Sequence, residues 1–461
     1  MTLDLTSSAP AAATSRAPSP AFGPEVFLAR RERFLERIGG GVAVFAAAPE
    51  LLRSRDTEVP YRQNSDFFYL TGFLEPQAVA VLTPHDPEHR LTLFVRPRDP
   101  EKETWSGRRA GVDGAREAYG ADAAYPIAEL DERLGDLVEA GDALWYSLGS
   151  GDEMDRRMAG LLTGYRRTRP RKGKGPANLL DPAAVLDRMR LVKEPGEIER
   201  MRAAAALSAR AHLAAMRAVR PGMGEWELQA LIENTFRAAG PDCGPAYGTI
   251  VGSGNGSTVL HYVSNAHRIG ENDVVLIDAG AEIGFYCGDI TRVLPASGRF
   301  TAPQRALYDV VHRALEIGIS LVGPGQTVLG VHEATRRVLV EGMVELGLLS
   351  GDIDGLIESE AFKRFFMHQT SHWLGLDVHD AGPYTEPDGQ SVRLAPGMVL
   401  TVEPGIYVAA DAEEVPDELR GLGIRLEDNV LVTEAGREVL TRGVPVEAEE
   451  VERIVSSRAG A

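Results

Sequence analysis

Cysteine is nearly absent from this chain: Cys243 and Cys287 are the only two among 461 residues. Two thiols cannot form a disulfide framework, and so low a count suits a reducing compartment. Long apolar runs are missing as well, since no stretch approaches the roughly 20 residues needed to span a bilayer. The opening segment, MTLDLTSSAPAAATSRAPSPAFG, has neither a basic n-region nor an apolar h-region. Its Ala, Ser and Pro content reads as a disordered tail over residues 1–23, and cytoplasmic residence is the expectation. Positive charge is the third deficit. There are 49 Lys and Arg against 67 Asp and Glu, a formal net charge of -18. That balance repels nucleic acid and anionic membranes, so neither is expected as a partner. Bound cations would neutralise part of the excess.

What is present points to two domains of mixed α/β (α+β) class. The length exceeds one ordinary core, and 44% hydrophobic with 25% charged residues is a globular composition. The runs GVAVFAA, VAVLTP and LTLFVRP read as buried strands separated by helical stretches, an α/β domain over 24–176. Its end is the basic run RRTRPRKGKGP, read as an exposed connection near a boundary rather than a nucleic-acid arm. Residues 177–184 are then a linker, and 185–461 the second domain. There the alanine-rich segment after Pro195 predicts a long helix ending at Arg220-Pro221-Gly222, with another helix in EWELQALIENTFRAAG. The arrangement recurs in QRALYDVVHRALEIGISLV, which ends at Gly323-Pro324-Gly325, and in VHEATRRVLVEGMVELG. Each helix pair is followed by β-like segments carrying histidine and two carboxylates. This suggests an internal duplication whose site draws on both copies.

The carboxylates are the strongest local signal. In VVLIDAGAEIGFYCGDITRVLP, a turn centred between Ile283 and Gly284 would pair Asp278 with Asp289, their Cβ atoms about 5 Å apart on one face. Either aspartate could instead point to solvent or cap a turn, but both interrupt apolar strands. Glu403 in MVLTVEPGIYV and Glu427 in GIRLEDNVLVT do the same. Burying carboxylates is costly unless they are paired or bind metal. Arg425 shares a strand face with Glu427 and could neutralise one of the four, but not all. The stretch FFMHQTSHWLGLDVHD adds His368, His372 and His379, beside Asp377 and Asp380. A dinuclear metal site accounts for this set. Its oxygen-rich donors favour Mn²⁺, with Co²⁺ or Zn²⁺ as alternatives. Two such ions would clamp a bridging water and present it as hydroxide, the nucleophile for hydrolysis.

Together with SHWLGLDVHD, TVEPGIY, GIRLEDN and DAG…GDITR, these residues resemble the pita-bread metallopeptidases, a family of methionine aminopeptidases, prolidases and aminopeptidase P. YRQNSDFFYLTGFLEPQAVAVL and ETWSGRRAG resemble the N-terminal domain of aminopeptidase P, and GTIVGSGNGSTVLHY its catalytic domain. The resemblance implies Asp278, Asp289, His372, Glu403 and Glu427 as metal ligands, with Asp289 and Glu427 bridging both ions. It further implies that His261 and His379 contact the scissile peptide and that Glu403 shuttles the proton. His368, Arg425 and Tyr407 would lie at the substrate pocket, while Tyr247 and Arg425 orient the carboxylates. Gln369-Thr370 departs from a glycine-containing pair in some relatives, which would alter the pocket rim. The implied reaction is removal of an N-terminal residue that precedes proline, by a homo-oligomer, dimer or tetramer, whose N-terminal domains shape a neighbour's entrance. Prolidase activity on Xaa-Pro dipeptides shares every ligand and stays open. A creatinase-type amidinohydrolase lacks the ligand set, and a non-enzymatic binding module of this fold would tend to lose ligands and gain basic surface. His85, His89, His212, His267, His312 and His332 match no motif and read as surface or structural residues.

Overall fold

The strands Val79–Leu82 and Leu91–Val95 are buried along their whole length, as continuous apolar runs require when both faces of a sheet are covered. In this computed structural model, which describes residues 22–457, they belong to a six-stranded mixed sheet. The order across it is Ala123–Pro126, Leu91–Val95, Val79–Leu82, Val42–Ala46, Ala143–Trp145 and Asn178–Leu180. The helices Leu130–Glu139 and Asp152–Lys172 bury Leu134, Val138 and Met158 against Val42, Val44, Val81 and Leu144. Contacts divide the chain after Leu186, and this sheet lies in the first of two units.

Three expectations need correction or fall outside the structure. The basic run is largely exposed as expected, but part of it is regular structure: its first residues finish the helix Asp152–Lys172, which Gly173 stops at φ 68°. Arginine is a good helix former, and cations suit the negative end of a helix. Residues 177–184, expected as a linker, contain the edge strand Asn178–Leu180, paired in parallel with Ala143–Trp145. Most of the expected tail, residues 1–21, lies outside the described residues.

The second unit runs from Asp187 onward. The helix Pro195–Ala218 starts at proline, with Glu194 and Glu197 forming a reciprocal capping box. It packs with Glu225–Arg237 and is followed by an antiparallel sheet of Ile250–Ser253, Val274–Asp278 and Thr291–Pro295. The same order then repeats. Ala302–Leu321, capped by Thr301 and Gln304, packs with Val328–Glu345. A second antiparallel sheet follows, of Val399–Val402, Asp428–Thr433 and Gly436–Val439.

The strand Val274–Asp278 lies between two cores. Val274 and Leu276 face the cluster that contains Leu307, Leu315, Leu400 and Val430. Val275 and Ile277 face the one that contains Leu207, Leu228 and Val251. Both faces are covered, so the strand is apolar throughout until Asp278 interrupts it.

The hairpin register also differs from expectation. Ile283 pairs with Tyr286 and Asp278 with Thr291, so Asp289 lies diagonal to Asp278 rather than opposite it. The turn is Gly284-Phe285, both at positive φ (54° and 76°). Two-residue hairpin turns that match strand twist demand that conformation. Because the shift is two residues, Asp289 keeps the same face as Asp278.

Candidate metal centre

The strand that ends at Asp278 delivers its carboxylate to the floor of a cleft of about 290 Å³. Asp289 and Thr291 follow along the paired strand. Thr291 in turn bridges to Glu427, joining the first sheet to the second. Residues 370–374 run antiparallel to 399–403, through Thr401 N–H to His372 O at 2.9 Å and Glu403 N–H to Thr370 O at 2.8 Å. This local ladder sets His372 beside Glu403. All five expected ligands, Asp278, Asp289, His372, Glu403 and Glu427, line the cleft. So do His261, His368, His379 and Arg425.

Asp278, Asp289 and Glu427 are 8%, 5% and 2% exposed, so water does little to screen their charges. Arg425 Nη2 meets Asp278 Oδ2 at 2.5 Å and is the one guanidinium that bonds to these carboxylates among the described residues. Its other donors go to the Tyr407 hydroxyl at 3.0 Å and to Thr291 Oγ1 at 3.1 Å. The Thr291 hydroxyl in turn donates a hydrogen bond to Glu427 Oε2 at 2.7 Å. Tyr247 places one hydroxyl 2.5 Å from both Asp278 Oδ1 and Asp289 Oδ1. A hydroxyl has a single proton, so it cannot satisfy both carboxylates.

The resulting electrostatics are those of uncompensated negative charge. Burial lifts the pKa of Asp278, an effect that Arg425 only partly offsets. Glu427 is held well above the carboxylate range by burial and by Asp289, Glu403 and Asp278. Glu403 is pushed up to about 7 by burial, against the pull of His372 and Arg425. Burial disfavours charge on His372, yet Asp289 and Glu403 outweigh it and raise its pKa to about 9. His372 donates from Nδ1 to the Trp373 carbonyl at 2.9 Å. That leaves Nε2 facing Asp289 Oδ2 and Glu403 Oε1, each 3.5 Å away.

The donor set fits divalent cations. Single ligand atoms of Asp289, His372 and Glu427 lie within 4.8 Å of one another, and hard carboxylate oxygens with one imidazole suit Mn²⁺-like ions. A histidine whose second nitrogen is anchored on a carbonyl is the usual orientation of a metal-binding imidazole.

The other expected residues fall around this centre. His379 packs edge-on against His372, ring centroids 4.4 Å apart, and burial followed by the nearby His372 lowers its pKa. His261 approaches from an exposed loop of the first repeat. His368 bonds through Nε2 to the Tyr407 hydroxyl at 2.9 Å, and burial with Arg425 pulls its pKa down to about 4. Tyr407, expected at the substrate pocket, is instead 3% exposed and lies behind His368 and Arg425. Asp380 is engaged by Lys193 at 3.0 Å and Arg190 at 2.6 Å, and Asp377 by Arg190 at 2.7 Å.

Sequence reasoning missed several supports. Asn429 clasps Asp289 by accepting its N–H at 3.0 Å and donating to its carbonyl at 2.5 Å. Thr401 accepts the His372 N–H at 3.0 Å. The Nδ1 atom of His332 accepts from the Thr370 hydroxyl at 2.9 Å, bracing the histidine segment from below. Polar residues inside apolar strands were the available signal for Thr291 and Asn429; His332 offered none.

The profile of metallopeptidase family M24 matches residues 199–434, and that of the aminopeptidase P N-terminal domain matches residues 27–145. Xaa-Pro aminopeptidase of Escherichia coli (strain K12) is 45% identical over 431 residues, covering 93% of this chain and 97% of its own length. The structure of Pseudomonas aeruginosa aminopeptidase PepP matches with a TM-score of 0.91 at 44% identity, covering 95% of this chain and 98% of that one. Zinc-substituted E. coli aminopeptidase P in complex with product matches with a TM-score of 0.90 at 44% identity, covering 95% and 100%. A catalytic-domain profile spanning half the chain, joined to a second profile for the domain before it, shows that this chain belongs to metallopeptidase family M24 and carries the N-terminal domain of aminopeptidase P.

Proposed function

We propose that the protein hydrolyses the bond between an N-terminal residue and a following proline, using two divalent cations held by Asp278, Asp289, His372, Glu403 and Glu427. The observation that carries this reading is the convergence of four carboxylates on one cleft with one guanidinium bonded among them. Cations bound there would polarise the scissile carbonyl and acidify a water between them, supplying the nucleophile. Mn²⁺ is the proposed occupant because oxygen donors dominate; the zinc-substituted relative makes Zn²⁺ the natural comparison.

The chain's own groups then have distinct tasks. Glu403 Oε takes a proton from the attacking water and returns it to the departing prolyl nitrogen. His261 and His379, from the two repeats, offer imidazole N–H groups to the carbonyl oxygen as negative charge builds on it. His379 suits this as a neutral donor, since burial disfavours its charged form. Tyr247 and Arg425 hold Asp278 so that its free lone pairs face the cleft. Proline lacks an N–H and has a fixed φ, so strand-like registration of the peptide is denied to the enzyme. Capture of the free amine by the acidic wall supplies the register instead. Cytoplasmic residence agrees with two unpaired cysteines, and assembly into a homo-oligomer is proposed by family resemblance.

The test is kinetics on Xaa-Pro peptides of increasing length, with metal-depleted and Mn²⁺-reloaded enzyme. Turnover of an Xaa-Pro-Yaa tripeptide that exceeds turnover of Gly-Pro supports the aminopeptidase. The reverse preference makes the protein a prolidase, and no turnover with either peptide sinks the reading.

A further inference from the structure

His261 sits on the 254–268 loop, which is largely exposed. Its placement is nevertheless dictated by one side chain from another element. Glu225, the first residue of the helix Glu225–Arg237, is 0% exposed. Its carboxylate accepts four hydrogen bonds, from the residue that precedes this loop and from two residues within it. Oε1 takes the Ser253 N–H at 2.8 Å and the Ser253 hydroxyl at 2.7 Å. Oε2 takes the Tyr262 hydroxyl at 2.9 Å and the His267 N–H at 2.8 Å. Tyr262 directly follows His261, and its ring stacks on His267 with centroids 5.8 Å apart.

One turn along the same helix face, Gln229 accepts from Asn265 at 2.9 Å. Asn265, at φ 43°, also donates to the Thr249 carbonyl and accepts the Val251 N–H. Glu225 is not needed to start its own helix, because Glu227 already accepts the Gly224 N–H at 2.6 Å. A core could be packed with an apolar side chain at lower desolvation cost. The carboxylate is matched instead to the ends of the loop and to the residue beside His261.

We propose that Glu225, acting through Tyr262, is a positioning residue that holds the His261 imidazole toward the reacting carbonyl, opposite His379. This rests on the reading of His261 as a substrate contact.

The test uses the full-length, metal-loaded enzyme with an Xaa-Pro-Yaa tripeptide. Tyr262→Phe removes one hydroxyl and keeps the ring; Glu225→Gln turns one acceptor into a donor. Each should lower kcat about tenfold with KM and metal content nearly unchanged, as expected when a transition-state contact is misplaced. Hydrogen exchange should quicken over 254–268 and not elsewhere. In a His261→Ala background the same changes should cost nothing further. Losses that multiply in that background, or unchanged kcat in Tyr262→Phe, overturn the proposal. Should Glu225→Gln fail to fold, Tyr262→Phe decides alone. If His261→Ala itself keeps full kcat, the role of His261 falls, and the positioning role falls with it.

Discussion

Glu427 and Asp428 are adjacent carboxylates and both buried, yet they face different surroundings. Glu427 lines the cleft and takes the Thr291 hydroxyl. Asp428 takes Arg292 Nη2 at 2.8 Å, and the same guanidinium donates to the carbonyls of Glu427, Val444 and Pro445. Successive residues along extended chain point to opposite faces, so alternation alone separates the cleft-lining carboxylate, a proposed metal ligand, from a structural ion pair. Asp289→Ala should therefore abolish turnover and metal uptake together, as read by steady-state assay and metal analysis. Asp428→Ala should leave Arg292 charged and unpaired, costing about 3–5 kcal/mol in urea denaturation.

Another buried residue contributes to the response to acid. His212 is buried, with Nε2 on the Ala279 carbonyl at 2.9 Å, and burial lowers its pKa to about 4. The folded pKa lies below the ordinary value, so its contribution is complete above about pH 6.5 and shrinks as pH falls toward 4, by about 2 kcal/mol at pH 5. The difference in Tm between pH 7 and pH 5 should narrow in His212→Asn.

At the scale of elements, close approach and turn geometry matter most. A Cβ added at Gly342 would lie 2.2 Å from Val310 Cγ1, so the second helix pair packs this closely only with glycine there and must shift to admit any side chain. Gly342→Ala should destabilise the fold by about 1–3 kcal/mol, and adding Val310→Ala should recover part of that loss. The long helices were legible because proline starts, capping boxes and Pro-Gly ends are local signals. The hairpin register was less so. Choosing Gly284-Phe285 as the turn requires a phenylalanine at positive φ, which local preference argues against and tertiary packing overrides. The strand Asn178–Leu180 escaped for the same reason: three residues become a strand only because Ala143–Trp145 offers an edge.

Across the whole second unit, the repeated order of helix pair and sheet brings distant carboxylates onto one cleft. Their mutual repulsion opposes folding, and cations bound there would offset it. Chelation should therefore lower Tm, and adding Mn²⁺ back should raise it in a concentration-dependent way, as mass action demands of a ligand bound by the native state. In Glu427→Gln, which removes one of the charges, the gain in Tm on adding Mn²⁺ should be smaller.

The long helices and the acids that interrupt apolar strands could be read from the chain itself, because proline starts, apolar runs and residues set within strands act over a few residues. The folded structure decided the rest: Thr291 between Arg425 and Glu427, Tyr407 behind His368, His332 beneath Thr370, and Glu225 anchoring the loop of His261. Each of those contacts joins segments far apart along the chain. No local preference encodes such a pairing; it follows from which faces the packed helices and sheets turn toward one another.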